Sequence, residues 1–295
     1  MNLSDLAIFV EAVRVGSLAG AARRLGLGAM AASRRLAGLE AQLGVRLVHR
    51  TTRSLAPTAE GEAFLPHAQA MLDEQASALA ALRPEGAGVS GQLRVTTSTA
   101  FGRKVVGPML AGFMHDNPDL RVDLLMTEDQ VDIVGQGIDI AIRIAKLRDN
   151  HLVARRLADG SRRLCVSPAY VAEHGMPRVL NDLGDHVCLL TTGTTHWSFS
   201  RCGKTIRHKM NGRLTASSVE ALHQVCLNGG GIAHLSAWNI EEDLRAGRLL
   251  LVTLEDAEPE PLAIWAVYPT ARMVPAKVRA FVAALESRLM EGPPD

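Results

Sequence analysis

The chain has 295 residues, of which 47% are hydrophobic and 21% charged, and its net charge is +1. That balance excludes a charge-rich disordered polymer, and no run reaches the ~18 apolar residues that suggest a membrane span. Its four cysteines, Cys165, Cys188, Cys202 and Cys226, lack Cys-x-x-Cys spacing, and its ten histidines are dispersed. Inert buried thiols in a reducing cytosol are expected, with a redox switch as the alternative, and with no metal and no cofactor.

In the first helix Leu3, Leu6, Val10 and Val13 recur at three- and four-residue spacing and form an apolar stripe. A second short helix follows Ser17 and stops near Gly26, a residue suited to a tight turn between helices. In the third, a step of about 100° per residue puts Ala29, Ala32, Leu36, Leu39 and Leu43 on the core face. The opposite face holds Met30, Arg34, Ala37, Gly38 and Ala41, small residues around one arginine. Such a face lets a helix approach another surface closely, and in a DNA major groove its N-terminal half brings Met30, Ser33 and Arg34 to bases or phosphates. A helical bundle with an alanine-rich face is the alternative.

Charge favours the duplex. Residues 1–60 carry eight arginines against four acids, a net of +4, so the remainder of a +1 chain carries −3. A basic head on a nearly neutral body suits phosphate binding. The segment Arg50-Thr51-Thr52-Arg53-Ser54 is too polar and β-branched for a helix and suits a hairpin wing whose arginines reach phosphates or the minor groove.

The chain resembles the LysR-type transcriptional regulators. The resemblance rests on Phe9-Val10-Glu11-Ala12-Val13, Gly16-Ser17, Ala21-Ala22-Arg23-Arg24-Leu25, Ser33-Arg34, Leu39-Glu40, Leu43-Gly44-Val45-Arg46-Leu47, Arg50-Thr51-Thr52-Arg53 and Thr58-Ala59-Glu60-Gly61. It spans essentially the whole chain and implies a winged helix-turn-helix over 1–58. The implied DNA-binding set is Met30, Ser33, Arg34, Arg35, Arg50, Arg53 and Thr58. Where the family commonly has Ser-Gln-Pro or Ser-Gln-Ser, this chain has Gly28-Ala29-Met30, so the base-contacting glutamine is missing. Glycine still serves as an N-cap. Gly38 inside the helix costs roughly 1 kcal/mol relative to alanine and marks either a close contact or a tolerated weakness.

Thr58 can cap a long helix running to about residue 83, in which Leu65, Ala68, Leu72, Gln75, Leu79 and Leu82 form a heptad seam. A lone helix on a small head has little to bury that seam against, so a homodimer through the linker helix is expected, with the head itself as the alternative partner. Pro66 predicts a bend or a later start. The stretch Pro84-Glu85-Gly86-Ala87-Gly88-Val89-Ser90-Gly91 has the composition of a hinge. The linker helix and hinge together occupy 59–90.

Beyond the hinge, strands are expected at 93–97, 120–126 and 138–143, with helices at 105–114 and, briefly, 131–134. A second series has strands at 164–167, 187–190 and 232–235, a helix at 219–227, late strands at 249–254 and 263–267, and a closing helix beyond Val274. This alternation predicts an α/β domain with right-handed crossovers. Asp139 and Arg143 can pair along one strand. The resemblance implies a two-lobe, periplasmic-binding-protein-like effector domain over 91–295, with one lobe of about 91–163 and 266–295 and the other of about 164–265.

An inter-lobe cleft would hold a small organic or aromatic carboxylate through Ser98, Thr99, Phe101, Thr127, Ser217 and Ser218; helix capping is the plainer role for each hydroxyl. The chain lacks a basic-then-apolar signal region and catalytic motifs such as Gly-x-Ser-x-Gly. The expectation is a cytoplasmic, effector-controlled regulator of transcription, not an enzyme, that binds double-stranded DNA as a homodimer or homotetramer and has no membrane partner. A metabolite-binding protein or enzyme whose head only mediates assembly is the rival reading.

Overall fold

The computed structural model of the chain describes residues 1–50, 55–81, 88–146, 153–269 and 274–291, with Arg50, Ser77, Ala80 and Ala81 given by their backbone alone. Helix α1 (Leu3–Val15) starts where the Asn2 side chain accepts the Ser4 amide and ends at Gly16, whose φ of 65° is left-handed. The Ser17 hydroxyl accepts the Gly20 amide at 3.2 Å and starts α2 (Leu18–Arg24), and Gly26 turns the chain toward α3 (Ala29–Leu43). The centre of the α1 stripe is Leu6, Ile8, Phe9 and Ala12, while Leu3, Val10 and Val13 flank it half-buried. On α3 the buried positions are Ala32, Leu36, Leu39 and Glu40. Ala29, expected in the core, is exposed, because as the first residue of α3 it stands one turn ahead of the packed stripe.

Strands β1 (Val48–Arg50) and β2 (Leu55–Pro57) pair antiparallel as the wing, with Arg50 opposite Leu55. Helix α4 (Ala59–Ala81) follows without interruption, so Pro66 neither delays nor divides it. Leu65 and Ala68 are buried in the head, and the Phe64 ring lies 5.9 Å from Phe9, so this half of the seam packs on the head itself. That burial offsets the hydrogen bond that proline denies the helix. The close approach needs Gly61, since a Cβ there would stand 2.0 Å from the Leu47 carbonyl oxygen.

Gly88 and Val89 lie against the end of a later helix, where the Asn117 side chain accepts the Val89 amide at 2.7 Å. From there β3 (Gly91–Thr97) enters the first sheet. It leads into α5 (Thr99–Phe101), a π-turn (Gly102–Val106) and α6 (Gly107–Asp116), so helix begins before the expected residue 105. Strand β4 (Leu120–Met126) comes next. The helix expected at 131–134 is instead a single turn, closed by the Asp132 side chain on the Gly135 amide and followed by Gly137 at φ 59°. Strands β5 (Ile140–Ala145) and β6 (Val153–Asp159) complete this part of the chain.

The second series runs through β7 (Arg162–Val166), α7 (Pro168–His174), β8 (Cys188–Thr191), β9 (His196–Arg201), β10 (Lys204–Lys209) and β11 (Leu214–Ala216). It continues through α8 (Val219–Leu227), β12 (Ile232–Ser236), α9 (Ala237–Arg245), β13 (Leu250–Val252) and β14 (Glu258–Pro259). The chain then returns as β15 (Ala263–Tyr268) and closes with α10 (Ala276–Glu291).

Two five-stranded mixed sheets result, ordered β4-β3-β5-β15-β6 and β11-β8-β12-β7-β13. The first packs on α6 and α10, where the Phe113 and Phe281 rings meet edge to face at 5.8 Å. The chain leaves this sheet along β6 and returns along β15, its antiparallel neighbour. Gly160 sits at the exit, where a Cβ would approach the Ala263 carbonyl carbon to 2.9 Å. The two sheets therefore meet at adjacent crossing strands, and their facing ends make a cleft.

Candidate nucleic-acid interface and effector cleft

Alternating burial along α3 leaves one outward face. Met30 is 77% exposed, Arg34, Arg35, Ala37, Gly38 and Ala41 are exposed, and Ser33 is half-buried. A Cβ on Gly38 would meet no atom within 4 Å, so that glycine answers no close contact within the chain. Behind this face Glu40, only 8% exposed, accepts the Leu47 amide at 2.9 Å and the Val48 amide at 3.3 Å. One carboxylate thereby ties α3 to the first wing strand. Its placement in the periodic run gave no sign of this, since position 40 reads as polar beside the Leu36 and Leu39 stripe.

Three members of the expected DNA-contacting set need separate statements. Thr58 is buried, and its hydroxyl donates to the Arg46 carbonyl at 2.7 Å and accepts the Gly61 amide at 3.0 Å. It is a cap that holds α4 to the segment leading into the wing, and with its one proton spent the hydroxyl has no donor left for a phosphate. Arg53 and the Arg50 side chain lie outside the described residues.

The cleft between the two sheets encloses about 230 Å³. Ser98 and Thr127 line it, as expected, and the Thr127 hydroxyl also accepts the Asp129 amide. The other four do not line it. Phe101 is fully buried with its ring edge-on to Trp238 at 5.2 Å, Ser217 is exposed, and the Ser218 hydroxyl caps α8 through the Ala221 amide. Thr99 contributes its backbone amide, which donates to Glu128 Oε1 at 2.9 Å.

Other residues furnish the cleft. Arg143 on β5 and Arg162 on β7 face it, one from each sheet. Burial pushes both guanidinium pKa values below the usual arginine range, and the Glu128 carboxylate opposes the shift at both. The expected Asp139–Arg143 pair does not form, because Asp139 accepts from Lys277 at 3.0 Å and from the Arg94 amide at 2.7 Å. His234, Trp238 and Asn239 complete the wall. Burial drives His234 down to about 3, with the nearby Arg162 charge adding to the shift, so its ring is neutral. In the sequence, the signal for Arg143 was a cation ending an apolar strand, and Asn239 gave none.

Residues 3–62 match the bacterial regulatory helix-turn-helix proteins of the lysR family, and residues 86–290 match the LysR substrate binding domain. This chain is a LysR-type transcriptional regulator. The regulator is 35% identical to the HTH-type transcriptional regulator DmlR of Escherichia coli K12, across 99% of this chain and 96% of DmlR. It is 33% identical to CrgA of Neisseria meningitidis serogroup C, across 98% of this chain and 97% of CrgA. Among solved structures, CrgA from Neisseria meningitidis aligns with a TM-score of 0.62 at 32% identity, covering 98% of this chain and 99% of that one. The full-length Vibrio cholerae virulence activator AphB aligns at 0.59 and 28% identity, covering 97% and 99%. The regulator accordingly carries an N-terminal DNA-binding head and an effector-binding domain. Among the described residues no helix is long and apolar enough to cross a membrane.

Proposed function

We propose that the regulator reads a specific duplex with the outward face of α3, using Met30, Ser33, Arg34 and Arg35, while Arg50 and Arg53 grip the flanking backbone. The observation that carries this reading is the uncluttered face around Arg34, on a helix clamped to the wing by Glu40. The head is taken as 1–58, the linker helix and hinge as 59–90 and the effector domain as 91–295. The protein acts in the cytoplasm, without catalysis. A homodimer forms through the distal half of α4, where Leu79 is 59% exposed beyond the reach of the head core. Two dimers assemble into the tetramer. A small carboxylate in the cleft shifts the balance between two arrangements of the lobes, which requires different affinity for each.

A duplex-binding titration at several salt concentrations tests the head. Arg34→Ala abolishes the preference for the target operator over unrelated duplex, whereas Arg53→Ala weakens binding to all duplexes and lowers the salt slope by about 1. Unchanged binding in both variants overturns the assignment.

A further inference from the structure

A cavity of about 330 Å³, larger than the cleft between the sheets, lies where the linker helix rests on the effector domain. Pro66, Gln69, Ala70 and Asp73, spaced three and four apart, form its wall on α4. The opposite wall belongs to the effector domain. Ile133 and Ile138 are buried on either side of Gly135 in the turn closed by Asp132, and Tyr268, Val274 and Val278 carry the wall on to α10. The space is mostly apolar, and its size falls within the roughly 300–1,000 Å³ of small-molecule sites.

Charge limits what such a space takes. Among the described residues no lysine or arginine lines it, whereas Asp139, buried, and Asp73, half-buried, both do. One ammonium serves the two: Lys277 Nζ, outside the lining, is 2.9 Å from Asp73 and 3.0 Å from Asp139. Arg14 and Arg94 line an adjoining crevice, where Glu11 at 2.8 Å and Asp123 at 3.2 Å hold them. Two enclosed carboxylates on one ammonium leave a negative surplus. Exposed Glu74 adds to it weakly through solvent, and exposed His67 opposes it only when protonated.

We propose that this cavity is a second ligand site, which takes a small organic cation, a protonated amine on an apolar body, and that its occupant pins the linker helix to the effector domain. The site is independent of the cleft and of what the cleft binds. Because its two walls belong to different parts of the chain, an occupant touches both only while they are docked, which supplies the differential affinity that a shift between arrangements requires. Leu65 and Ala68 of the same helix are buried in the head core, so pinning α4 also fixes where the head stands.

The test is a calorimetric titration of the full-length protein in mildly alkaline buffer, where an exposed imidazole is neutral and an alkylammonium stays charged. Phenethylamine binds, whereas its uncharged counterpart 2-phenylethanol and the small cation methylammonium each bind weaker by about tenfold or more. Ala70→Trp fills the cavity from α4 and abolishes phenethylamine binding. Asp73→Asn removes the surplus charge, spares the Lys277–Asp139 contact and weakens binding by about tenfold, while Glu74→Gln, exposed and screened, weakens it by less than about threefold. Circular dichroism shows that each variant is folded. With phenethylamine bound, amide hydrogen exchange slows along α4. No phenethylamine binding to the unaltered protein, or equal binding of 2-phenylethanol, overturns the cation assignment. Unchanged binding in both Ala70→Trp and Asp73→Asn places the ligand elsewhere and overturns the site. Binding without slower exchange in α4 overturns the pinning.

Discussion

Lys277 Nζ on α10 lies 2.9 Å from Asp73 Oδ1 on α4, joining the closing helix of the effector domain to the linker helix. The same ammonium is 3.0 Å from Asp139 and donates to the Gln92 carbonyl at 2.7 Å. Nearby, Arg14 on α1 donates to the Gln92 side chain, so head, linker helix and first sheet meet around one small network.

That network sets the first prediction. Burial alone would lower the Lys277 pKa, but the Asp139 and Asp73 carboxylates outweigh it and hold the value above the usual lysine range. With a raised folded pKa, this contribution is complete below the unfolded lysine value and is lost as pH rises through the folded one. Lys277→Met leaves a buried carboxylate uncompensated and lowers stability by about 3–5 kcal/mol in chemical denaturation. Asp73→Asn spares the Lys277–Asp139 contact and costs less than Lys277→Met.

Glu40 holds two wing amides from beneath α3. Glu40→Ala removes a charged acceptor from buried donors and lowers stability by about 3 kcal/mol. Duplex affinity falls with it, measured under conditions where the variant remains folded, because the wing loses its tie to the reading helix.

Gly38 occupies the interior of α3 with open space where a Cβ would stand. Gly38→Ala therefore raises stability by roughly 1 kcal/mol through helix propensity alone, read as a higher melting temperature. A loss of stability would show that the position is not free.

His234 is held neutral by burial, with a folded pKa of about 3 against 6.5 for the free side chain. The unfolded chain binds the extra proton between those values, so stability falls as pH drops from about 6.5 toward 3. His234→Gln flattens that part of the stability curve. An unchanged acid limb would mean that His234 does not set it.

Much of the head was legible because its signals are local. Ser17 as a cap, Gly26 as the turn and the Ala32, Leu36 and Leu39 stripe each act within a few residues of where they stand. The linker helix was harder. The heptad seam was read as facing a second chain, yet Leu65 and Ala68 face α1, and periodicity says which side of a helix is apolar without saying what covers it. At 131–134 an apolar run suggested a helix, but Asp132, Gly135 and Gly137 close a single turn there. The cleft was least legible. Serine and threonine near helix starts drew attention, and Ser218 proved to be a cap whereas Arg143, Arg162 and Asn239 line the cavity.

The sequence by itself determined the helix-turn-helix, the basic head and the alternation of strands and helices, because hydrophobic period, capping and charge are written in neighbouring residues. Only the tertiary structure decided which distant groups share one space. The crossing of β6 and β15 beside Gly160 sets the ends of the two sheets facing each other, which brings Arg143 and Arg162 to one cavity. The packing of α10 and α4 on the first sheet likewise gives Lys277 both Asp73 and Asp139. Burial and Coulomb interaction depend on distance in space, and the linear chain does not encode that distance in any short window.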